Sequence, residues 1–237
     1  MFGFHSLPFS IELDNINLSI KRDGGGYLYY RKCEDDEKEQ YIFADKCMVL
    51  INPIEPVNTP KEITHYLFIE LEKPVVLEPK GRQAVYIKFP VEIGVFIGRD
   101  QKRNMEILDI FSISYKKYIL YGEIQQGILC KYFKSNVYTE IPEVDILKEG
   151  IIELDIINKT DRWVKVSKTV FDAYHMKIYY SDKLVAMKGI MTVVDEGIAE
   201  TTFKDSPLEK GMEKSLELYV SRKIPMFSTE FVMEWGL

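Results

Sequence analysis

Alternation of apolar and polar residues is the dominant pattern of this chain. The clearest case covers residues 85–97, where seven apolar residues stand at every second position and Lys88 and Glu92 lie between them. A period of two is typical of a half-buried β-strand. Pro90 lies within this segment and cannot donate a ladder hydrogen bond, so we expect two strands that meet at a bend.

Shorter segments repeat this period in both halves of the chain. Asp, Asn and Gly bound many of them, and these residues favour tight turns. Only one convincing helix start occurs, with Ser206 as N-cap, Pro207 at the first helical position and Glu209 completing a capping box. Residues 170–175 are a weaker helix candidate. The further segments with period two are 11–13, 16–20, 27–29, 152–156, 164–166, 176–180, 191–193, 216–220 and 227–235.

Many short strands without alternating long helices predict a mainly-β protein of antiparallel β-sandwich architecture, with one or two short helices. A chain of 237 residues is long enough for two such sandwiches or for a single large β domain. The polar segment 98–104 is the best break. We therefore predict an N-terminal β domain over residues 1–98 and a C-terminal β domain over residues 99–237, with a single domain as the alternative.

Composition and charge narrow the class of protein further. The net charge of -6 provides no global field that would attract nucleic acid or an anionic membrane. The N-terminal residues do not form a signal peptide, and no apolar stretch approaches the roughly 18 residues of a membrane helix. We therefore expect a cytoplasmic protein without membrane insertion. Abundant Lys, Glu, Ile and Tyr favour a thermophilic source.

The residue types that usually carry chemistry show no recognisable spacing. The three histidines form neither HxH nor HxxxH, so no metal site is predicted, and no cofactor motif occurs. The glycines after Asp23 precede a strand-like segment rather than a helix, which favours a hairpin turn over a phosphate loop. Cys47 and Cys130 lie in apolar surroundings and are expected to be buried, inert thiols.

One segment combines cations with aromatic residues. Residues 99–134 contain seven Lys and Arg against four Asp and Glu, a local net charge of about +3 in an acidic protein. Arg99, Lys102, Arg103 and Tyr115 belong to this segment. The candidate binding residues are Lys116, Lys117, Tyr121 and Lys131, which on one sheet face would bind single-stranded nucleic acid or a phosphorylated ligand by stacking and charge. A solvated ribbon with lysines protecting its edge is the favoured interpretation.

The polar sequence 158–161 predicts a turn between two strands of a hairpin, residues 151–157 and residues 163–170. Trp163 begins the second strand of this pair. A large aromatic side chain at that place is expected to pack in the core.

Dispersed motifs carry a resemblance to a known family. The sequence Leu120-Tyr121-Gly122, the pair Lys131-Tyr132, the prolines that follow Asn52 and the closing Met233-Glu234-Trp235-Gly236 resemble the archaeal domain of unknown function 432 family. The similarity extends over most of the chain. It implies an archaeal source and an intracellular location, and it supplies no established activity or site.

The sequence therefore predicts a cytoplasmic β-rich binding or interaction protein of unknown ligand. Exposed strand edges make a homodimer a further expectation. One alternative is an enzyme that acts on a carbohydrate or phosphorylated metabolite, because such sites often occupy concave sheet faces. The other is single-stranded nucleic-acid binding through residues 115–134, the less favoured partner class for an acidic chain.

Overall fold

The computed structural model describes residues 1–13, 16–34, 36–44, 46–60, 63–99, 105–114, 116–219 and 229–237. These residues form two compact units. Unit 1 comprises Met1–Pro53 and Ile93–Ile113, and unit 2 comprises Ile54–Glu92 and Ser114–Leu237. Both units are built from strands, so the predicted mainly-β class is confirmed. A domain boundary near residue 98 stays a prediction, because a compact unit need not be an independently folding domain.

Unit 1 contains two four-stranded sheets. Sheet A has the order β1-β6-β9-β10, with strands Gly3–Ser6, Met48–Ile54, Glu92–Gly98 and Glu106–Phe111. Sheet B is a meander of order β2-β3-β4-β5, with strands Phe9–Leu13, Ile16–Asp23, Gly26–Cys33 and Asp36–Ile42. The predicted hairpin turn at the glycines joins β3 to β4, and Gly24 has the positive φ of 56° that such a turn requires.

A polar cluster lies inside unit 1. The Asp109 carboxylate on β10 accepts hydrogen bonds from Tyr29 Oη and Arg31 Nε of β4, both at 2.7 Å, and from Lys38 Nζ at 3.0 Å. Burial alone would raise the pKa of Asp109, but the hydrogen bonds from Tyr29 and Lys38 and the charge of Arg31 hold it below its usual value. Asp109 lies on sheet A and Arg31 on sheet B, and both side chains are almost fully buried. Their ion pair therefore joins the two sheets.

Unit 2 also contains two sheets, and most of the long strands belong to it. Sheet C has the order β11-β12-β7-β14, with strands Tyr118–Tyr121, Ile128–Ser135, Tyr66–Leu77 and Val164–Asp172. Sheet D has the order β18-β15-β16-β13-β8, with strands Glu213–Lys214, Tyr179–Tyr180, Val185–Asp195, Glu149–Asn158 and Arg82–Pro90. Strand β17, Ile198–Lys204, pairs with β16, and β19, Phe231–Met233, pairs with β17.

Two strand pairs of unit 2 are parallel, β12 with β7 and β13 with β16. Twelve further strand pairs of the two units are antiparallel. Parallel neighbours need a long crossover, since a tight turn joins only antiparallel strands. Pairing in unit 2 therefore depends on residues far apart in the chain.

Side chains from sheets C and D meet in the interior of unit 2. The ring of Phe171 on β14 lies 4.9 Å from that of Phe203 on β17, and Phe171 is completely buried. Gly189 on β16 lies in this layer, where an added Cβ would come within 3.4 Å of the Phe171 ring. This packing of two sheets through an apolar layer is sandwich-like.

The segment with the clearest alternation forms two strands, as predicted. Strand β8 ends at Pro90 and β9 begins at Glu92. The two strands belong to different sheets, so the proline stands where the chain leaves one sheet for another.

Three local predictions are wrong. No helix begins at Ser206: residues 206–212 form turns, and the Ser206 hydroxyl is buried without capping a helix. Of the strand predicted over residues 216–220, residues 216–219 form no strand and residue 220 lies outside the described residues. Strands β13 and β14 do not form a hairpin, because β13 lies in sheet D and β14 in sheet C. Of the second helix candidate only the 3-10 turn Ala173–His175 is helical, and it is the one helix among the described residues.

Across the part of the chain that the structure describes, no helix has the length and apolar character to cross a membrane. Lys102, Arg103, Tyr115 and Phe227, which belonged to predicted features, lie outside the described residues.

Candidate functional site

The structure separates the four predicted binding residues into three environments. Lys116 and Lys117 are exposed directly before β11. The Lys117 ammonium lies 4.3 Å from the centre of the Tyr132 ring, which is a cation–π contact. The Tyr132 hydroxyl donates to Glu70 at 2.5 Å, and burial together with this bond raises its pKa to about 12.

Tyr121 is buried and holds the C-terminal residues in place. Its hydroxyl accepts the N–H of Trp235 and donates to the carbonyl of Gly236, both at 3.1 Å. Its ring meets that of Trp235 edge to face at 5.4 Å. Gly122 follows with a φ of +106°, and a Cβ there would stand 2.6 Å from the indole. Tyr121 and Gly122 therefore form a clamp for the Trp235 side chain rather than an open stacking surface.

Lys131 points into unit 2 and pairs with Glu92. The Nζ of Lys131 lies 2.7 Å from Oε1 of Glu92, and the two side chains are 1% and 0% exposed. Burying a carboxylate or an ammonium costs several kcal/mol unless each finds charged or hydrogen-bonding partners. The pair therefore needs further donors on Glu92.

Those donors come from the proline-rich loop that follows β6. Both carboxylate oxygens of Glu92 accept backbone N–H groups, Oε2 from Asn58 at 2.9 Å and Oε1 from Thr59 at 3.2 Å. The Thr59 hydroxyl donates to Oε1 at 2.7 Å. The Asn58 side chain accepts from the hydroxyl of Tyr219. Four donors therefore hold the Glu92 carboxylate in place inside unit 2.

The cysteines and histidines form no reactive cluster in the described residues. Burial raises the pKa of the Cys130 thiol to about 12, and it also raises that of Cys33 and, less completely buried, of Cys47. Such thiols stay protonated at neutral pH and are poor nucleophiles. No three His, Cys, Asp or Glu side chains of the described chain gather as metal ligands.

Among the residues that the structure describes, a surface groove in unit 2 is a candidate for a ligand site. We call it the Trp163 groove, and it is lined by residues 159–165, residues 194–197 and Leu237. Its volume is about 740 Å³, within the roughly 300–1,000 Å³ of small-molecule sites. Trp163 is 68% exposed and Val194 is 38% exposed. An indole with most of its surface in water, placed inside a concavity, is a ready contact for a ligand.

One wall of the Trp163 groove is a loop held by a buried asparagine. The Nδ2 of Asn158 donates to the carbonyls of Glu78 and Arg162, both at 2.8 Å, while its Oδ1 accepts from the N–H and hydroxyl of Thr160. Lys80 adds a bond from Nζ to the Lys159 carbonyl at 2.7 Å. Five hydrogen bonds thus fix the backbone that carries Trp163.

The opposite wall is the turn between β16 and β17. Gly197 has a φ of +77°, and its carbonyl accepts the N–H of Gly236 at 3.1 Å. Glu196 on this turn forms an ion pair with Arg162 across the groove at 3.3 Å. Both side chains are highly exposed, at 78% and 85%, so the pair is weak and exchanges readily with water or ligand.

Comparison with known protein families gives one match. The family model described as "Protein of unknown function (DUF432)" matches residues 1–234. The chain belongs to the DUF432 family. The match spans both units, and it confirms the resemblance drawn from the dispersed motifs. No curated protein and no solved structure gives a significant match.

The motifs that carried the DUF432 resemblance have structural roles here. Tyr121, Gly122 and Trp235 form the clamp described above. Lys131 belongs to the buried pair with Glu92, whose remaining donors come from the loop with the prolines. Both arrangements connect elements far apart in the DUF432 sequence, so they explain the motifs by folding rather than by chemistry.

The prediction that Trp163 packs in the core of the DUF432 chain is wrong. The alternation of the sequence indicates the correct position of Trp163. Val164 and Val166 are buried, so Trp163 and Lys165 lie on the other face. The opposite wall at Glu196 carries no such signal. It reaches the groove only because β16 and β17 form a hairpin in the neighbouring sheet.

Proposed function

We propose that this DUF432 protein is a ligand-binding protein and that its binding site is the Trp163 groove. The exposed indole of Trp163 carries the proposal. Aromatic side chains bring a large, rigid contact area at little cost in conformational entropy, which is why they dominate binding energies when they lie in a concave site.

The support of the groove favours binding. A binding site works best when its side chains stand on backbone that is already ordered, because less entropy is lost when the ligand arrives. Asn158 and Lys80 fix one wall, and the hydrogen bond between Gly197 and Gly236 fixes the end of the other. The groove thus combines backbone that is fixed by hydrogen bonds with exposed side chains.

The charged groups of the groove favour binding over catalysis. Asp161 pairs with Lys80 at 3.0 Å, and Glu196 pairs with Arg162. Asp195 accepts the backbone N–H of Glu196 at 2.7 Å. Acid–base catalysis needs a titratable group whose pKa is shifted toward the working pH by burial or by a like charge. These carboxylates are exposed and lie beside cations or backbone donors, not in the buried surroundings that such catalysis uses.

A ligand screen with a groove variant tests this function. We would measure thermal shifts of the wild-type protein and of Trp163→Ala against oligosaccharides, peptides, nucleotides and short oligonucleotides, since a ligand of the native state raises its apparent stability. A shift that depends on concentration and disappears in Trp163→Ala is the expected result. Ile107→Ala, which alters an exposed apolar residue of unit 1, is the matched control and should keep the shift.

The outcome against the proposal is equally definite. If every compound that stabilises the wild-type protein stabilises Trp163→Ala to the same extent, the groove is not the binding site.

An intracellular place of action is also part of this proposal. Cys33 and Cys130 are free and buried, and Cys47 is free as well. Free thiols persist in the reducing conditions of the cytosol. Mass spectrometry of the protein isolated from its host, with alkylation before and after reduction, would detect a disulfide that contradicts this expectation.

A further inference from the structure

The charges that line the Trp163 groove cancel. Lys159, Arg162 and Lys165 contribute three positive charges, and Asp161, Asp195 and Glu196 contribute three negative ones. A site for a polyanion carries an excess of cations, because its affinity depends on neutralising phosphates and releasing their counterions. A groove whose side chains carry no net charge does not gain affinity in this way, so a nucleic acid or polyphosphate is a poor fit.

The groove is also too polar for a purely apolar ligand. Its apolar lining residues are Trp163, Val164, Val194 and Leu237, while the other eight are charged, polar or glycine. A hydrophobic ligand would bury these charged groups without replacing their hydrogen bonds to water, which is unfavourable. The fitting ligand therefore combines one apolar face with many uncharged hydrogen-bonding groups.

A pyranose ring has this combination. Its axial C–H groups form an apolar face that packs on an indole, and its hydroxyls lie around the rim and both donate and accept hydrogen bonds. Arg162 and Glu196 stand on opposite walls beside the groove, one a planar donor and the other an acceptor with two oxygens. Each side chain has the geometry to bind two neighbouring hydroxyls of the sugar. Their ion pair with each other is exposed and weak, so contacts with a ligand can replace it.

We propose that the Trp163 groove binds an uncharged oligosaccharide, with one sugar ring stacked on Trp163 and its hydroxyls bound by Arg162 and Glu196. This inference rests on the proposed function and names the ligand class of the same site. The volume of about 740 Å³ suits a ligand larger than a single sugar. Uncharged hydroxyl groups can donate hydrogen bonds to carboxylates and accept them from cations. This matches a groove lined by equal numbers of cationic and anionic side chains.

The test is binding of the intact protein to an array of neutral oligosaccharides, followed by calorimetric titration of any that bind. Trp163→Ala should weaken binding by about tenfold or more, and Trp163→Phe, which keeps an aromatic face, should lose less. Arg162→Gln with Glu196→Gln should weaken it as well. Because no net charge is neutralised, affinity should stay within about twofold between 50 and 300 mM salt, where a site that makes several phosphate contacts loses orders of magnitude.

The possible results separate this inference from the proposed function. Binding of a peptide or an oligonucleotide that requires Trp163, without any bound oligosaccharide, overturns the sugar assignment and leaves the groove as the site. Oligosaccharide binding that Trp163→Ala does not weaken overturns the groove as its location. If no ligand class binds in a manner that depends on Trp163, both proposals fail.

Discussion

Lys131 Nζ and Glu92 Oε1 lie 2.7 Å apart inside unit 2, with both side chains almost inaccessible to water. Thirty-nine residues separate them along the chain. Glu92 opens β9 where the chain leaves one sheet for another, and Lys131 lies on β12, the strand that pairs in parallel with β7. The pair thereby fixes the proline-rich loop of Asn58 and Thr59 beside sheet C.

Lys131→Met should be strongly destabilising. It leaves the buried Glu92 carboxylate with its remaining neutral donors and no cation, and breaking a buried ion pair typically costs about 3–5 kcal/mol. Urea unfolding gives the free energy of unfolding of each variant. Lys116→Met is the control, because Lys116 is exposed and its replacement should change stability by no more than about 0.5 kcal/mol. Equal stabilities of the two variants would contradict a structural role for the pair.

Gly122→Ala should disturb the clamp on Trp235. A methyl group at this position would stand 2.6 Å from the indole, and the φ of +106° is unfavourable for an L side chain. Overpacking of this kind costs about 1–3 kcal/mol, and the backbone strain adds to it. Gly25→Ala is the matched control, since an added Cβ there meets nothing within 4 Å. The melting temperatures of the two variants should differ, and a loss confined to Gly25→Ala would refute the clamp.

The pH dependence of unit 1 should follow Asp109. Its folded pKa lies below the unfolded value of about 3.9, so the stability it contributes is present above that value and is lost as pH falls through the folded pKa. Near-UV circular dichroism of the tyrosines, measured from pH 6 to pH 2, reports this loss. Asp109→Asn should be less stable at pH 6 because it leaves Arg31 buried without its anion. It should also have a shallower acid dependence, and an unchanged slope would exclude Asp109 as a source.

Much of the local structure could be predicted from the sequence, because strands leave a signal at every second residue. Residues 85–97 divided into β8 and β9 at the proline, as their pattern indicates. Local signals failed where distant contacts decide the conformation. The capping sequence at Ser206 forms turns, and the chain beside it is held by Lys214 Nζ, which binds Asp205 at 2.7 Å, and by Tyr179, which donates to the same carboxylate.

The candidate site was harder to predict than the fold. Its two walls come from the loop after β13 and the turn after β16, strands that are parallel neighbours in sheet D. No local pattern reports that Arg162 faces Glu196, since the two are brought together by strand order alone. Tyr121 and Lys131, two of the predicted binding residues, are both buried. Adjacent cations and aromatic rings in a sequence do not reveal which of them point inward.

Trp163 should account for most of the fluorescence that comes from solvent-exposed tryptophan. The chain has two tryptophans, and Trp235 packs edge to face against Tyr121 while Trp163 is 68% exposed. Trp163→Phe should therefore remove the red-shifted emission and most of the quenching by acrylamide, and it should change the free energy of unfolding by less than about 1 kcal/mol. Trp235→Phe is the comparison and should leave the quenchable component. If Trp235→Phe removed it instead, the groove would lack its exposed indole.

Lys168→Met should have little effect or be slightly stabilising, in contrast to Lys131→Met. Lys168 forms no ion pair with any residue that the structure describes, and Glu70, its partner in strand register, accepts the Tyr132 hydroxyl instead. Its ammonium lies 5.5 Å from the centre of the Tyr121 ring.

The pH dependence of stability should reflect the charge of Lys168. Burial lowers the pKa of Lys168, so its charge opposes folding below the folded pKa. That cost disappears as pH rises toward the unfolded pKa of about 10.4. The difference in unfolding free energy between wild type and Lys168→Met should therefore shrink or reverse between pH 7 and pH 10. A loss as large as that of Lys131→Met at pH 7 would mean that Lys168 has an anionic partner.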